Sequence, residues 1–341
     1  MVTNDYMKWL STIGSCWWHD SANLCEMEQA IENGATGVTT NPLLVKRSLY
    51  GFREDWKPYL ADMDQGLKGD EKAEELIRRV TVQVAAKFEP IYHATNGVQG
   101  YVCAQVNPCY PGDAERMLDM AKRLNKWAPN IAVKLPATAA GLDAMEECAA
   151  LGITTVGTVS FTVPQAVEIA RRQWMGEQRA KKAGVTPGKT FSVVMVGRLD
   201  DYLRDVVHDN HAAVLESDIR KAGTAVIKRA YAIVRERGYS AKLMPAGMRG
   251  GYHALELAGA DMSMSIGAGI QQMLLTAPKP YAEGIGEDVA PDVIARLMTM
   301  REFVRAYEPD GMRPEEFIAY GTSQKTLSQF VEAGWLPIQE Y

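Results

Sequence analysis

The sequence predicts a (β/α)8 barrel, an α/β fold in which eight parallel strands form an inner ring surrounded by helices. Eight short β-like runs occur along the chain, a helical pattern stands behind each of them, and the length of 341 residues is usual for this fold. A doubly wound open sheet would show a similar alternation. However, no G-x-G-x-x-G motif follows the first run, and the nearest glycine cluster, at 247–251, comes far later. The sequence therefore favours the barrel.

Each predicted strand is a short run of apolar or β-branched residues that a glycine, a proline or a polar residue brings to an end. In the fourth run, for example, residues 131–133 are apolar and prolines stand on both sides, at 129 and 136. The eight runs are 15–20, 37–40, 100–106, 131–134, 153–159, 191–196, 241–244 and 260–265. The sixth run is interpreted as ending in Gly197-Arg198.

The helices between the strands are predicted from apolar residues spaced at i, i+4 and i+7 and from capping residues. Asp113 is expected to cap the helix after the third run, and Thr162 with Gln165 resembles a capping box that opens the helix after the fifth. A long helix is predicted at about 217–237, where Gly238 ends it.

Two segments lie outside this alternation, although we expect residues 1–341 to form a single barrel domain. Residues of about 45–95 are charged and contain one clear helical pattern, at about 70–88, so they are interpreted as an insertion after the second strand. The C-terminal part, about 285–341, predicts two further helices. They are expected at 291–307 and at 323–332, the second capped by Ser323 and ended by Gly334.

Composition excludes several classes of function. The net charge is −5, and no basic run is present, so nucleic acid and anionic membrane are not expected partners. No apolar run approaches the roughly 20 residues of a membrane helix, and the N-terminus does not resemble a secretion signal. The five cysteines form no CxxC pair, which is typical of reduced thiols in the cytoplasm. His208 and His211 lack a clear third ligand, so neither a metal ion nor a cofactor is expected.

Polar side chains are predicted to end seven of the strands. In a barrel the carboxyl ends of the strands meet at one mouth, where the chemistry takes place. Any one such residue has an ordinary explanation, because strands end in polar loops. Seven of them at one mouth favour a functional site. They are Asp20, Asn41, Gln105, Lys134, Thr158, Arg198 and Arg249.

Lys134 is the candidate covalent nucleophile. A lysine amine with the ordinary pKa of about 10.4 is protonated at neutral pH, so attack on a carbonyl needs surroundings that favour the neutral amine. Apolar strand neighbours and a nearby Arg198 would both act in that direction. The alternative is a salt bridge between Lys134 and Asp20, which would be structural and catalytically inert.

Three other residues have plausible roles at the same mouth. Asp20 could move protons on a sugar hydroxyl. Asn41 could hydrogen-bond a substrate hydroxyl, although Asn-Pro is also an ordinary turn starter. Arg249 precedes a short helix predicted to begin at Gly250, and a guanidinium beside helix N–H groups suits a phosphate.

Several motifs resemble the transaldolase family, which includes the related fructose-6-phosphate aldolase group. GVTTNP at 37–42 resembles the signature around its second strand, and VKLPAT at 133–138 resembles the segment that carries its Schiff-base lysine. Residues 152–166 resemble the next strand and helix, and VGRLDD at 196–201 followed by Met248-Arg249 continues the match in order. The resemblance covers about residues 13–275.

This resemblance implies a metal-free (β/α)8 enzyme with its lysine on the fourth strand. Lys134 would form a Schiff base with a ketose, and Asp20 would be the acid/base for carbon–carbon cleavage. Asn41 would help to hold the intermediate and Thr158 would orient a catalytic water. Arg198 and Arg249 would line the phosphate end of the substrate. We expect a cytoplasmic homo-oligomer, since the family often forms oligomers.

The sequence departs from the family pattern near this lysine. Gln105 stands where transaldolases carry a glutamate, and an amide can position a water molecule but cannot take its proton. The fructose-6-phosphate aldolase group looks as if it uses glutamine there. The other departures make the lining more apolar, and they are Val156 for an asparagine, Val193 for a serine, Met195 for an aromatic residue and Gly247 for a phosphate-binding serine.

The expected activity is transfer of a dihydroxyacetone unit between sugar phosphates in the pentose phosphate pathway. The alternative is an aldolase of the same mechanism that releases or uses free dihydroxyacetone. A third reading, a barrel that binds a sugar phosphate without turnover, is motivated by the altered lining positions, and retention of Asp20, Lys134 and Thr158 together argues against it.

Overall fold

The computed structural model describes residues 3–341 and confirms the barrel. The hydrogen-bonded strand pairs among the described residues are all parallel, and the ladder runs in the order β7-β6-β5-β4-β3-β2-β1-β8. Strands β7 and β8 lie beside each other and bring the ring close to closure. The strands are β1 (Cys16–Asp20), β2 (Gly37–Thr39), β3 (Tyr101–Gln105), β4 (Ile131–Pro136), β5 (Thr155–Thr158), β6 (Thr190–Val194), β7 (Lys242–Pro245) and β8 (Ser263–Ile266).

Helices surround this ring and extend beyond it at both ends of the chain. They are α1 (Asp5–Leu10), α2 (Leu24–Glu32), α3 (Pro42–Gly51), α4 (Arg53–Leu60), α5 (Gly69–Ala94), α6 (Ala114–Leu124), α7 (Ala139–Ala150), α8 (Val163–Lys182), α9 (Val196–Asn210), α10 (Glu216–Glu236), α11 (Gly251–Leu257), α12 (Ala268–Leu274), α13 (Pro291–Leu297), α14 (Arg301–Tyr307), α15 (Pro314–Phe317), α16 (Gly321–Phe330) and α17 (Leu336–Gln339), with a π-helical turn at Val331–Trp335. None of these helices is both long and apolar enough to span a membrane.

Aromatic side chains from distant strands fill the interior of the barrel. The rings of Trp18 on β1 and Phe191 on β6 lie 4.6 Å apart between centroids, although these strands are not neighbours in the ladder. Tyr101 on β3 stacks on Trp18 at 6.3 Å. Contacts between non-adjacent strands must cross the interior, so these three rings face inward. Trp17, the next residue along β1, packs on the outer side as strand alternation requires.

Two of the predicted caps, Asp113 and Thr162, are confirmed. Asp113 accepts a hydrogen bond from the Arg116 N–H at 3.0 Å and begins α6, and Thr162 accepts one from the Gln165 N–H at 3.2 Å and begins α8. Each cap satisfies a backbone donor that a helix start leaves free. The helices predicted at 70–88 and 217–237 are also confirmed, as parts of α5 and α10.

Two sequence readings near the sixth strand are wrong. Its strand ends at Val194, and helix α9, which the pattern did not predict, begins at Val196. Gly197 was interpreted as the end of the strand, yet it lies in the first turn of α9. A Cβ at this position would lie 2.4 Å from the Gly247 carbonyl oxygen, so glycine is required by close packing and does not break the helix.

The two C-terminal helices also differ from the prediction. The segment 291–307 is divided into α13 and α14, because Met300 between them is extended. Ser323 is not a cap but lies inside α16, which begins at Gly321. Gly334 does not end the segment either. It lies in the π-helical turn, where a Cβ would meet the backbone N of Leu43 at 2.8 Å.

The C-terminal segment therefore packs on the barrel beside the second strand. Trp335 donates a hydrogen bond through Nε1 to Asp70 at 2.7 Å, and the Tyr50 hydroxyl donates to the Pro337 carbonyl at 2.9 Å. These contacts join the chain end to α3 and α5. They also bring α16 towards the mouth of the barrel at α9, where the Arg198 side chain hydrogen-bonds Thr326.

Candidate active site

Four of the predicted site residues face the interior of the barrel at its carboxyl end. Strand alternation puts Asp20 on the same side as Trp18. Lys134 is paired with Gln105 on β3 and with Val156 on β5, and Val156 is paired in turn with the inward-facing Phe191. Thr158 follows Val156 by two residues and shares its face. The ladder register therefore directs Asp20, Gln105, Lys134 and Thr158 into one space.

Lys134 is only 6% exposed, and its amine has few partners. Nζ donates one hydrogen bond, to the Thr40 carbonyl oxygen at 3.3 Å. Within residues 3–341 it forms no ion pair, so the salt bridge to Asp20 that the sequence left open is not made. The amine makes a single hydrogen bond and faces the barrel interior. A substrate carbonyl carbon can therefore approach it from that side.

Asp20 is oriented by a hydroxyl chain that the sequence reading missed. The Thr39 hydroxyl donates to Asp20 Oδ1 at 2.7 Å, and it also lies 2.7 Å from the Ser265 hydroxyl. Because a hydroxyl has a single proton, Ser265 must donate to Thr39 when Thr39 donates to Asp20. The chain joins β8, β2 and β1 and leaves Oδ2 of Asp20 available for proton transfer.

Gln105 and Thr158 each present a buried polar atom to the space around Lys134. Gln105 Oε1 and Thr158 Oγ1 have no hydrogen-bond partner among the described residues. They come from β3 and β5, which flank the strand of Lys134. Since buried polar groups are normally satisfied, two such atoms on either side of the lysine indicate a place for a water molecule or a substrate hydroxyl.

The backbone immediately after Thr158 is strained. Val159 has φ +53°, a left-handed conformation that a β-branched residue seldom adopts. Gln165 stabilises it, because its Nε2 donates to the Val159 carbonyl at 3.0 Å while its Oε1 accepts from the Phe161 N–H at 3.0 Å. This fixed turn defines the position of the Thr158 side chain, and strain of this kind is often found at functional sites.

Arg198 lies in the first turn of α9 and is largely buried. Its Nη1 donates to the Thr326 hydroxyl at 3.3 Å, and its guanidinium lies over the Phe330 ring at 5.7 Å. No carboxylate within the described chain forms an ion pair with it. Burial, with a smaller effect from the nearby Arg249, lowers the pKa of Arg198 below its ordinary value. A buried guanidinium without a carboxylate is an incomplete pair, and an anion would complete it.

Arg249 has a different environment. Its Nη2 lies 2.6 Å from Asp201 Oδ2, and its Nη1 donates to the Gly247 carbonyl at 2.8 Å. The residue precedes α11, for which Gly250 is the N-cap, so the predicted helix start is close to the observed one. Arg198 and Arg249 together line a cavity of about 460 Å³. The two arginines are thus brought together, but only Arg198 is without a carboxylate.

Asn41 serves a structural role in this structure. It is the N-cap of α3, and its Oδ1 accepts a hydrogen bond from the Leu44 N–H at 3.0 Å. The side-chain oxygen of Asn41 is therefore accounted for by the local structure, as expected of an Asn-Pro pair that starts a turn or helix. Any contact with a substrate hydroxyl would have to come from the side-chain Nδ2.

Two of the positions that depart from the family pattern, Val156 and Val193, face the same interior. Val156 is fully buried and paired directly with Lys134, and Val193 and Met195 are 1% and 7% exposed. Gly247 has φ +60°, whereas the space around its Cβ position is open, with its nearest contact at 3.7 Å. Its backbone conformation, rather than crowding, favours glycine there.

These features define the class of protein: a (β/α)8 barrel with a lysine-centred cluster of polar residues inside the carboxyl ends of its strands and an arginine-lined cavity. Within residues 3–341 no group of three or more His, Cys, Asp or Glu side chains could hold a metal ion. His208 is exposed and contacts Asp209 at 3.3 Å.

Comparison with known proteins gives the family. The family described as transaldolase/fructose-6-phosphate aldolase matches residues 17–328, and the chain belongs to it. Transaldolase 1 of Streptomyces avermitilis is 34% identical over 187 residues, which are 53% of this chain and 48% of that protein. Transaldolase 2 of the same organism is 28% identical over 241 residues (67% and 64%), and the transaldolase of Kocuria rhizophila is 29% identical over 211 residues (59% and 55%). The chain thus spans about half to just under two thirds of these relatives.

Proposed function

We propose that this protein is a transaldolase that transfers a dihydroxyacetone unit between sugar phosphates through a Schiff base on Lys134. One observation carries the proposal: a buried lysine without a carboxylate partner faces the barrel interior between two unsatisfied polar atoms, Gln105 Oε1 and Thr158 Oγ1. A purely structural lysine would have a carboxylate partner or reach solvent.

Lys134 provides the covalent step. Its neutral amine attacks C2 of a ketose, a C–N bond forms, and loss of the C2 oxygen as water gives the protonated Schiff base. A water molecule held between Gln105 and Thr158 exchanges protons with the carbinolamine during this step. Gln105 positions that water and cannot deprotonate it, because an amide is not a base at neutral pH.

Asp20 breaks and makes the carbon–carbon bond. Its Oδ2 accepts the proton of the C4 hydroxyl, the C3–C4 bond breaks, and its electron pair passes to the iminium to leave an enamine on Lys134. The departing fragment is an aldehyde. When a second aldehyde takes its place, the enamine attacks it and Asp20 returns the proton. Thr39 holds the carboxylate in position through its hydrogen bond to Oδ1.

Arg198 and Arg249 bind the phosphate end of the substrate. Arg198 has no carboxylate partner among the described residues, so its positive charge is available to the phosphate. Arg249 can share its guanidinium between Asp201 and the phosphate. Arginine presents several N–H donors in a plane, which suits phosphate oxygens. Asp20 and Arg198 are close enough for their charges to interact, which supports an extended ketose phosphate that spans the lysine and the arginines.

An aldolase of the same mechanism is the second candidate. Gln105 favours it, because the fructose-6-phosphate aldolase group looks as if it uses glutamine at this position. Transfer requires the enamine to wait for an acceptor, whereas an aldolase protonates it and releases dihydroxyacetone. A measurement of product with and without an added aldehyde acceptor separates the two. Efficient turnover of fructose 6-phosphate without acceptor would establish the aldolase and refute the transferase.

Borohydride reduction in the presence of fructose 6-phosphate, followed by peptide mass mapping, tests the covalent step. We expect a stable adduct on Lys134, and Lys134→Met should lose both the adduct and turnover. Absence of an adduct with any ketose would remove the Schiff-base proposal and leave a barrel that only binds sugar phosphates. An adduct on another lysine would show that the nucleophile lies elsewhere.

The oligomeric state, the cellular compartment and the pathway are also part of this proposal. We expect a homo-oligomer in the cytoplasm acting within the pentose phosphate pathway. Light scattering should give a mass of at least twice the 37.6 kDa of one chain. A monomer at micromolar concentration would contradict the oligomer.

A further inference from the structure

The C-terminal helix α16 reaches the arginine-lined cavity with two residues one turn apart. Thr322 and Thr326 both line the cavity of about 460 Å³, together with Arg198 and Arg249. Both threonines are buried, at 3% and 0% exposure. Residues four apart on a helix lie on the same face, so α16 presents two hydroxyls to the place where the anion would bind.

Thr326 is the only hydrogen-bond acceptor of the Arg198 side chain in the part of the chain described. A hydroxyl that accepts a hydrogen bond keeps its own proton for donation. The hydroxyl of Thr326 donates to no acceptor within residues 3–341. Its proton is therefore free for a group bound beside Arg198, and a phosphate oxygen is an acceptor of the right charge.

Phe330, one turn beyond Thr326, supports the guanidinium of Arg198 from the same helix. The Arg198 Cζ lies 5.7 Å from its ring centroid, within the range of a cation–π contact. Arg198 is thus positioned by two residues of α16, which are 128 and 132 positions away in the chain.

The formal charges around the cavity also suit an anion. Arg198, Arg249 and Lys325 line it with Asp201 and Glu332, three positive groups against two negative ones. Asp201 is occupied by Arg249 and Arg204, and Lys325 is paired with Asp205 outside the lining. Arg198 remains as the charge without a carboxylate, and it lies against Thr326.

From these contacts we propose that α16 forms one wall of the phosphate subsite, in which the Thr326 hydroxyl donates a hydrogen bond to the substrate phosphate and so selects phosphorylated ketoses. The proposal rests on the proposed function for the identity of the substrate. The binding of an anion beside Arg198 can be tested without turnover. Thr326 is a specificity residue here, and Phe330 is a positioning residue that acts through Arg198.

The test compares Thr326→Val, Thr326→Ser and native protein, with inorganic phosphate as the probe in isothermal titration calorimetry. Valine keeps the shape of the side chain and removes the hydroxyl, whereas serine keeps the hydroxyl. Loss of one hydrogen bond to a charged group should weaken phosphate binding by about tenfold or more in Thr326→Val. Thr326→Ser should remain within about threefold of the native protein.

Ser323→Ala is the matched control. Ser323 lies on the same helix and is equally buried, but it does not line the cavity and its hydroxyl has no partner among the described residues. This variant should bind phosphate as the native protein does. If Thr326→Val is unstable, Thr326→Ala provides a second removal of the hydroxyl and should show the same loss.

Steady-state kinetics then distinguish phosphate recognition by Thr326 from a purely structural role of this residue. Thr326→Val should raise KM for fructose 6-phosphate by about tenfold and leave kcat/KM for unphosphorylated fructose or dihydroxyacetone unchanged. Equal losses for phosphorylated and free ketoses would show a structural role and overturn the subsite. Native phosphate affinity in Thr326→Val would also overturn it. If the native protein turns over no ketose, the proposed function fails, and the phosphate titration still decides the role of Thr326.

Discussion

Replacement of Gly197 by alanine tests the packing that joins the two arginines. Gly197 lies in the first turn of α9, directly before Arg198. A Cβ at this position would lie 2.4 Å from the Gly247 carbonyl oxygen, 2.6 Å from Arg249 Cγ and 3.0 Å from the Arg249 backbone nitrogen. Real Cβ atoms essentially never approach closer than 3.0 Å, and two of the three contacts involve backbone. The loop that follows β7 must therefore move away from α9.

The expected cost follows from these contacts. Overpacking in a well-packed region costs about 1–3 kcal/mol, and an exchange of glycine for alanine inside a helix returns at most about 1 kcal/mol. The net loss of stability should be about 1–2 kcal/mol, which for a chain of 341 residues corresponds to a decrease in Tm of roughly 1–3 °C. Movement of Arg249 should lower kcat/KM for a ketose phosphate by about tenfold or more, because misplacement of a binding group is costly.

Gly269→Ala is the matched control for this variant. Gly269 lies in α12, and its Cβ position has no neighbour within 4 Å. The control should keep or slightly raise Tm and should not change kinetics. Thermal unfolding and steady-state kinetics are measured for both variants, together with borohydride trapping on Lys134, which Gly197→Ala should retain. A native Tm and native kinetics in Gly197→Ala would refute the reasoning that this glycine is fixed by close contact with Gly247 and Arg249.

Two further changes test the orientation of Asp20 and the effect of pH on the fold. Thr39→Val removes the hydrogen bond to Asp20 and should lower kcat by about tenfold or more, while borohydride trapping on Lys134 persists. Thr39→Ser keeps the hydroxyl and should recover most of kcat. An unchanged kcat in Thr39→Val would show that the hydroxyl chain does not orient Asp20. Burial raises the pKa of Glu26, but hydrogen bonds from His19, Asn23 and a nearby serine outweigh it and lower this pKa to about 2. A lowered carboxyl pKa stabilises the fold above the unfolded value of 4.5, and this contribution is lost as pH falls towards 2. Glu26→Gln should therefore have a lower Tm at pH 7, and the difference from native protein should shrink below pH 4.5; a difference that does not depend on pH would contradict the assignment.

The barrel could be predicted because its signals are local. Each strand is a short apolar run, although β4 extends to Pro136, two residues beyond the predicted end at Lys134. Each cap needs only residues three apart, as in Asp113 and Arg116. The lysine at the end of such a run could be found in the same way. Strand alternation also predicted correctly that only one of Trp17 and Trp18 faces the interior.

The wrong predictions concern residues whose role is set by contacts with a distant part of the chain. Gly197 and Gly334 were both read as local stops, yet they are selected by the Gly247 carbonyl and by Pro42-Leu43, 50 and about 290 residues away. Thr326 had no local signal at all. It matters only because α16 packs against α9 at Arg198, a contact between residues 128 positions apart.

The contrast between the two ends of the site indicates where substrate selection takes place. Val156 is paired directly with Lys134, and Val193 and Met195 are buried apolar residues, so recognition of the sugar near the lysine rests on Asp20, Gln105 and Thr158. At the other end, the largely buried Arg198 hydrogen-bonds Thr326 and lies over the Phe330 ring, and it forms no ion pair within residues 3–341. Burial of an unpaired charge is costly, and an arriving phosphate relieves that cost. A ketose without a phosphate gains no such relief, so the anion end should contribute more to discrimination than the hydroxyl contacts around Lys134.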